Sequence, residues 1–238
     1  MKIKVIVPVS TDHWNDLIRE AFEAYKDPDT EITIVNLKKG PESIEQIYDE
    51  TWAALPTLLE AEKAEKEGYD GVIIYCFGDP ALESVKEALN IPAVGLNEAS
   101  VHLASMLGKR FSVIGVGGKK IESSRRVYDK VAHYGLGAKL ASVRRIDVRV
   151  LDIRKEFDKV VEALSEEGRH AIEKDGADVL VLGCGGLLNI AEKLQEKLGV
   201  PVIDPGLAAL KIVEDLVKLK LKQSKRAYPK PYEKKRLQ

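Results

Sequence analysis

The strongest constraint on this chain is a cysteine motif that occurs twice. Residues 70–80 read DGVIIYCFGDP and residues 178–188 read DVLVLGCGGLL. In each, an acidic residue opens a short apolar run, a cysteine closes it, and glycine follows within two residues. Asp70 lies six positions before Cys76, as Asp178 does before Cys184. Pro92 in IPAVGL follows the first cysteine by sixteen residues, and Pro201 in VPVIDP follows the second by seventeen. The chain has no other cysteine. One supersecondary unit used twice would aim both thiols at a shared cleft.

The repeat extends beyond the motif. A shift of 108 residues lays VIVPVS (5–10) on VIGVGG (113–118), places EITIVNL (31–37) near KLASVRR (139–145) and carries Cys76 onto Cys184. Residues 3–9 (IKVIVPV) form a near-continuous apolar, β-branched run, as a strand buried on both faces requires. Helical spacing groups Trp14, Ile18, Ala21, Phe22 and Tyr25 behind an Asp12 N-cap. It also groups Ile44, Ile47, Tyr48, Trp52, Leu55 and Leu59 in a helix over 41–67, with a kink or break expected at Pro56. Phe157, Val160, Val161 and Leu164 form the matching stripe of the second half. Asp79 and Pro80 read as the N-cap and first residue of a helix running to Leu89.

Strands alternating with helices predict an α/β fold of two similar Rossmann-like lobes with parallel sheets, related by pseudo-twofold symmetry. The first lobe is expected over 1–98, with 207–222 packing back on it; the second covers 99–206, and 223–238 form a basic, loosely packed tail. Ligands of such sheets bind beyond the carboxyl ends of the strands. The loops 8–12, 76–80, 115–119 and 183–187 therefore face each other across an interlobe cleft, where the active site is expected.

Charge and composition exclude several functions. Net charge is −1, and the tail carries +5 of it, so residues 1–222 hold about −6. No nucleic-acid partner is expected; the tail reads as solvated or as a subunit contact. No apolar stretch approaches the ~20 residues of a membrane span, and no charged-then-apolar leader precedes the first strand, so a cytoplasmic protein without membrane contact is expected. Only four Gln and five Asn occur amid abundant Lys and Glu, a bias of hyperthermophile proteins. Two cysteines make no disulfide framework and form no C-x-x-C; a cleft disulfide or redox pair stays open as the plainer alternative. GVGGKK (115–120) matches neither G-x-G-x-x-G nor a P-loop. The four histidines (13, 102, 133, 170) show no ligand spacing with either cysteine, so no metal site is expected.

A thiol acts as base or nucleophile only as thiolate, and a helix N-terminus lowers its pKa. Both cysteines precede a predicted helix, and Gly78, Gly185 and Gly186 allow turns that expose backbone N–H groups. Acidified thiols beside an anion pocket are the expectation. If a planar carbon acid lay between Cys76 and Cys184, one thiolate would remove its proton and the opposite thiol would return one to the other face. Inverting a stereocentre in both directions needs such a pair, and neither metal nor organic cofactor.

CFGDPAL followed by IPAVGLNEA, and VLGCGGLLNIAEKLQEKLGVPVIDPG, resemble the aspartate/glutamate racemase superfamily and within it the hydantoin racemase branch. The resemblance covers roughly residues 1–220. Amino-acid racemases of the superfamily usually carry Cys-Asn-Thr and Cys-Thr at the two sites; Phe77-Gly78 and Gly185-Gly186 stand here instead. The resemblance implies a cofactor-independent racemase of 5-monosubstituted hydantoins, with Cys76 and Cys184 as its catalytic acid/bases and a homo-oligomeric assembly. An aspartate/glutamate-type racemase or related isomerase, and a non-catalytic small-molecule binding protein, are the alternatives. Two loops depart from the branch: Val7-Pro8-Val9 replaces an Asn-Pro-Asn type turn, and Gly115–Gly118 replaces a threonine-rich loop. On this basis Gly78, Asp79, Gly185 and Gly186 are expected to offer N–H groups to a substrate oxygen. Pro8 and Ser10 would shape the cleft floor, Phe77 would cover the ring or pack behind its loop, and Gly117 and Gly118 would approach the ligand through backbone.

Overall fold

The computed structural model describes residues 1–118 and 121–236, so Lys119 and Lys120 of the glycine-rich loop and the last two tail residues lie outside the described residues. The first half runs β1 (Lys2–Val7), α1 (Asn15–Tyr25), β2 (Glu31–Asn36), α2 (Ile47–Lys66), β3 (Gly71–Ile74), α3 (Leu82–Ala88), β4 (Ala93–Gly95) and α4 (Leu96–Leu107). The second repeats that order as β5 (Phe111–Gly115), α5 (Ile121–His133), β6 (Leu140–Arg145), α6 (Phe157–Glu173), β7 (Val179–Leu182), α7 (Ala191–Leu198), β8 (Val202–Ile203) and α8 (Pro205–Lys218). Each half forms a four-stranded, all-parallel sheet, in the orders β2-β1-β3-β4 and β6-β5-β7-β8. The 108-residue shift is thus a duplicated α/β unit.

The inner strands are buried on both faces, and successive side chains enter different cores with the period of two that a strand imposes. Val5 and Val7 of β1, Ile73 of β3, Val113 of β5 and Val179 and Val181 of β7 belong to one core that both sheets share. Their neighbours Ile6, Val72 and Ile74 face a second core under α2 and α3, and Ile114, Leu180 and Leu182 face a third under α6 and α7. Both faces of each sheet are covered, as parallel sheets require. The helices α4 and α8 pack on each other between the sheets. α4 reaches β7, while α8 lies over β3 and β4. Buried Glu214 of α8 accepts hydrogen bonds from the Thr30 hydroxyl (2.6 Å) and the Asp27 N–H (2.8 Å), pinning the last helix to the first half.

Several sequence expectations need correction. α2 begins at Ile47 and passes through Pro56 without a break, and residues 41–46 are not helical. Its face toward the sheet is the small-residue set Ala53, Thr57, Ala61 and Ala64, while Ile47, Tyr48, Trp52, Leu55 and Leu59 are 40 to 69% exposed. Small side chains let α2 lie close on β1, where buried Lys4 pairs with Glu60 of α2 (2.7 Å) and with its C-cap residue Glu67 (2.8 Å). Trp14 rather than Asp12 holds the N-cap position of α1. The tail is partly docked: Gln223 exchanges hydrogen bonds with the backbone of Ala93, and Lys225 donates to the carbonyls of Lys86 and Glu87. Residues 229–236 are exposed.

Candidate active site

The strands β1, β3, β5 and β7 all end at one cavity of about 800 Å³, part of it open to solvent. It is lined by the residues that follow those ends: Pro8 and Val9, Tyr75 to Gly78, Val116 and Gly117, and Gly183 to Gly186. Cys76 and Cys184 are both free, partly buried thiols on this cavity. Their loops match. The Gly78 N–H donates to Cys76 Sγ (3.4 Å), and the Gly186 N–H donates to Cys184 Sγ (3.3 Å).

The structure brings Pro8, Phe77, Gly78, Gly117, Gly185 and Gly186 to the cavity wall beside the two thiols. Three expected residues stand elsewhere. Ser10 is exposed and bonds Pro41 through its hydroxyl and its N–H. Gly118 gives its N–H to the Ile146 carbonyl. Asp79 gives its N–H to the Cys76 carbonyl (2.9 Å), so that group is not available to a substrate oxygen. The Gly117 N–H is also taken, by the Val148 carbonyl. The N–H groups of Gly78 and Gly186 address the sulfurs themselves, which stabilises thiolate rather than a substrate oxyanion.

The expectation of acidified thiols is not met, for a geometric reason. α3 and α7 begin six and seven residues beyond their cysteines, at Leu82 and Ala191, so neither thiol stands at a helix N-terminus. Burial dominates and pushes Cys76 up to about 12, with the Glu50 carboxylate adding to the rise and the Gly78 N–H and Arg126 opposing it. Cys184 is also raised by burial, against the Gly186 N–H and the Arg145 guanidinium. A thiol held this way is rarely ionised at neutral pH, yet its thiolate is a strong base, suited to a weakly acidic C–H.

Sequence reasoning missed the charged and polar side chains around the thiols. Glu45, Asn97, Arg126, Lys130 and Arg145 line the cavity. Glu50 stands behind Gly78 so closely that a Cβ there would lie 2.0 Å from its Oε1. Arg126 Nη1 and Glu50 Oε1 are 3.2 Å apart but poorly aligned, and each lacks a hydrogen-bond partner among the described residues. Lys130 donates to the Gly78 carbonyl, and Arg145 Nη1 donates to the Val116 carbonyl (2.6 Å) while its Nε has no partner among the described residues. Asn97 is fully buried, and neither the nitrogen nor the oxygen of its side-chain amide has a partner among the described residues. No local motif announces these residues, because most of them reach the cavity only when the two halves dock. Among the described residues, no three His, Cys, Asp or Glu side chains are grouped so as to hold a metal ion.

Asp79 has a different task from the one expected. It does not cap α3, whose N-cap position is held by Ala81. Its carboxylate caps α4 instead, accepting from the N–H groups of Asn97 (3.0 Å) and Glu98 (2.9 Å). The α4 N-cap is Gly95, and a Cβ there would fall 2.4 Å from that carboxylate. Burial lifts Asp79 to about 7, against the pull of Lys130 and the two N–H groups. The Cys76 loop and the first turn of α4 are therefore held by one bracket.

Comparison with known proteins finds relatives that match nearly the whole chain. The family model for Asp/Glu/Hydantoin racemase matches residues 3–213. A hydantoin racemase of Pseudomonas sp. (strain NS671) is 40% identical over 225 residues, covering 94% of this chain and 89% of that protein. The solved structure of allantoin racemase from Klebsiella pneumoniae superposes with a TM-score of 0.92 at 34% identity, covering 98% of this chain and 95% of the other. That of allantoin racemase from Pseudomonas fluorescens gives 0.93 at 32% identity, with both chains fully covered.

Proposed function

The chain belongs to the Asp/Glu/Hydantoin racemase family and is a racemase, and we propose that it racemises 5-monosubstituted hydantoins without a cofactor, with Cys76 and Cys184 as opposed acid and base. The observation that carries this reading is the pair of equivalent thiols on one cavity, each accepting a hydrogen bond from the N–H two residues on.

The step balances without redox chemistry. One thiolate takes the C5 proton; the C–H electron pair moves into the adjacent carbonyl to give an enolate, and an S–H bond forms. The opposite thiol then protonates C5 on its other face, which leaves a thiolate there ready for the reverse direction. Cationic Arg126 and Arg145, one near each sulfur, offset the negative charge that passes between them. Apolar Val9, Trp14, Ile44 and Val127 exclude water around the reacting centre.

The names of the relatives support the ring. Allantoin is itself a hydantoin with a ureido group on C5, so hydantoin and allantoin racemases act on one heterocycle with different substituents. A second reading, an amino-acid racemase, draws on the cations Arg126, Lys130 and Arg145, which suit a carboxylate. The glutamates at 45 and 50 and the glycine-rich loops after the thiols weigh against it.

The same reading includes a homo-oligomer. Tyr48, Trp52, Leu55 and Leu59 recur at steps of four, three and four on the exposed face of α2, the spacing of a helix–helix seam. A second copy presenting the same face is the proposed partner. Free thiols of this kind fit a reducing compartment such as the cytoplasm.

The test is polarimetry on enantiopure 5-benzylhydantoin, with chelator present and no cofactor added, beside allantoin, aspartate and glutamate. Loss of rotation with a hydantoin, absent in Cys76→Ser and Cys184→Ser, is the expected result. Rotation lost only with aspartate or glutamate would move the substrate to the second reading. Ligand binding without turnover would leave a binding protein.

A further inference from the structure

We propose that the side-chain amide of Asn97 reads one N–H/C=O edge of the substrate ring, selecting cyclic amides and ureides over free amino acids. The assignment rests on the racemase reading above and names the group that recognises the ring.

Three observations carry it. Asn97 is fully buried yet lines the cavity that holds both thiols. Its Nδ2 and Oδ1 both lack a hydrogen-bond partner among the described residues, although buried polar atoms are nearly always paired. Its backbone is fixed, because the Asp79 carboxylate accepts the Asn97 N–H at 3.0 Å and Asp79 belongs to the Cys76 loop. An unpaired donor and acceptor thus sit side by side on a rigid helix turn, tied to the loop that carries a thiol.

The chemistry of the amide selects the ligand. A carboxamide offers one N–H and one C=O in one plane. Its complement is an N–H adjacent to a C=O on the same edge. A five-membered cyclic ureide presents that arrangement because the ring forces its amides cis. A free amino acid presents an ammonium and a carboxylate, which ask for charged partners. The second half has no counterpart: Asn97 is the second residue of α4, and the second residue of α8 is Gly206. A Cβ at Gly206 would lie 2.8 Å from the Tyr75 hydroxyl. The ring is therefore gripped from one half only, while both halves supply a thiol.

The experiment compares 5-benzylhydantoin with its N1-methyl and N3-methyl derivatives, using the full-length wild-type chain and Asn97→Leu, with racemisation and C5 deuterium exchange as readouts. The wild-type chain should lose about tenfold or more in kcat/KM on one of the methylated rings, since a site built to bond an N–H rejects a ring without it. Asn97→Leu should be slower on the parent ring by roughly tenfold or more and should treat the parent and that methylated ring alike within about threefold. Equal wild-type rates on all three rings would overturn the assignment, and that arm needs no variant to fold. So would an Asn97→Leu protein that keeps the wild-type penalty. If the wild-type chain neither racemises nor exchanges any hydantoin, the substrate reading fails and takes this assignment with it. Failure in the variant alone leaves that reading intact.

Discussion

The two halves of this molecule share strand order, helix order and the place of a cysteine, but they surround those cysteines differently. Cys76 has a carboxylate, Glu50, as its strongest charged neighbour, and Cys184 has a guanidinium, Arg145. The helices after the fourth strands are capped by unlike means. In α8 the N-cap residue Asp204 accepts from Gly206 (2.8 Å) and Leu207 (3.1 Å), whereas in α4 glycine holds the cap and Asp79 reaches in from the thiol loop. The second helices differ most. α6 buries its apolar stripe, with Val160 and Leu164 inaccessible, and α2 turns its own outward. Duplication accounts for two equivalent sulfurs on one cavity. Divergence gives each sulfur its own electrostatics and leaves an exposed apolar helix face on the first half only.

The largest expected effect removes a thiol: Cys76→Ser or Cys184→Ser should lower racemisation at least on the order of a thousandfold, read by polarimetry, because each direction of the reaction needs both groups. Next comes the contrast between the second helices. Leu164→Glu puts a charge into a sealed core and should cost several kcal/mol, enough to prevent folding. Leu55→Glu on the exposed stripe of α2 should leave the melting temperature within a few degrees while shifting the light-scattering mass toward the monomer. Equal harm from both would mean that α2 does not differ from α6 as described.

A smaller effect tests the electrostatic asymmetry. Cys184 should be alkylated by iodoacetamide ahead of Cys76 at neutral pH, since carboxylate Glu50 opposes the Cys76 thiolate. Glu50→Gln should speed alkylation of Cys76 by roughly tenfold, one pKa unit, and leave Cys184 unchanged; peptide mass spectrometry at several time points reads both sites. The smallest effect concerns the caps. Asp79 is lifted to about 7 and Asp204 to about 6, each mainly by burial. A carboxyl whose folded pKa lies above its unfolded value holds its proton more tightly when folded. Each therefore stabilises the fold most at low pH and contributes less as pH rises through about 4 to 7. Asp79→Asn should flatten its share of that slope in urea titrations, and Asp79→Ala should cost about 1 kcal/mol as a lost cap. A slope unchanged by Asp79→Asn would place the titration elsewhere.

The parts of this architecture that were legible in the sequence are those written locally. The repeated acidic–apolar–cysteine–glycine run marked both thiol loops, and alternation of β-branched strands with helical stripes marked two parallel sheets. What was missed depends on how elements meet. The spacing of Tyr48, Trp52, Leu55 and Leu59 identifies one face of a helix, but periodicity does not say which face turns inward. Ala53, Thr57, Ala61 and Ala64 form an equally periodic stripe, and their small size is the signal that this one lies against a sheet. Asp79-Pro80 looked like a helix start because the local pattern fits. The positive φ of 45° at Asp79 turns its carboxylate toward another helix instead. Arg126 and Arg145 come from a helix and a strand end with no motif, and they acquire meaning only once a cavity exists for them to face.

The most direct test of the central claim is proton NMR at C5 in D2O, run on each enantiomer of 5-benzylhydantoin with the wild-type chain, Cys76→Ser and Cys184→Ser. Two opposed thiols predict that the wild-type chain exchanges and interconverts both enantiomers. Each variant should lose interconversion and exchange the C5 proton of one enantiomer only, the two variants choosing opposite hands. A serine variant that still interconverts the enantiomers at the wild-type rate, or two variants that act on the same hand, would contradict it.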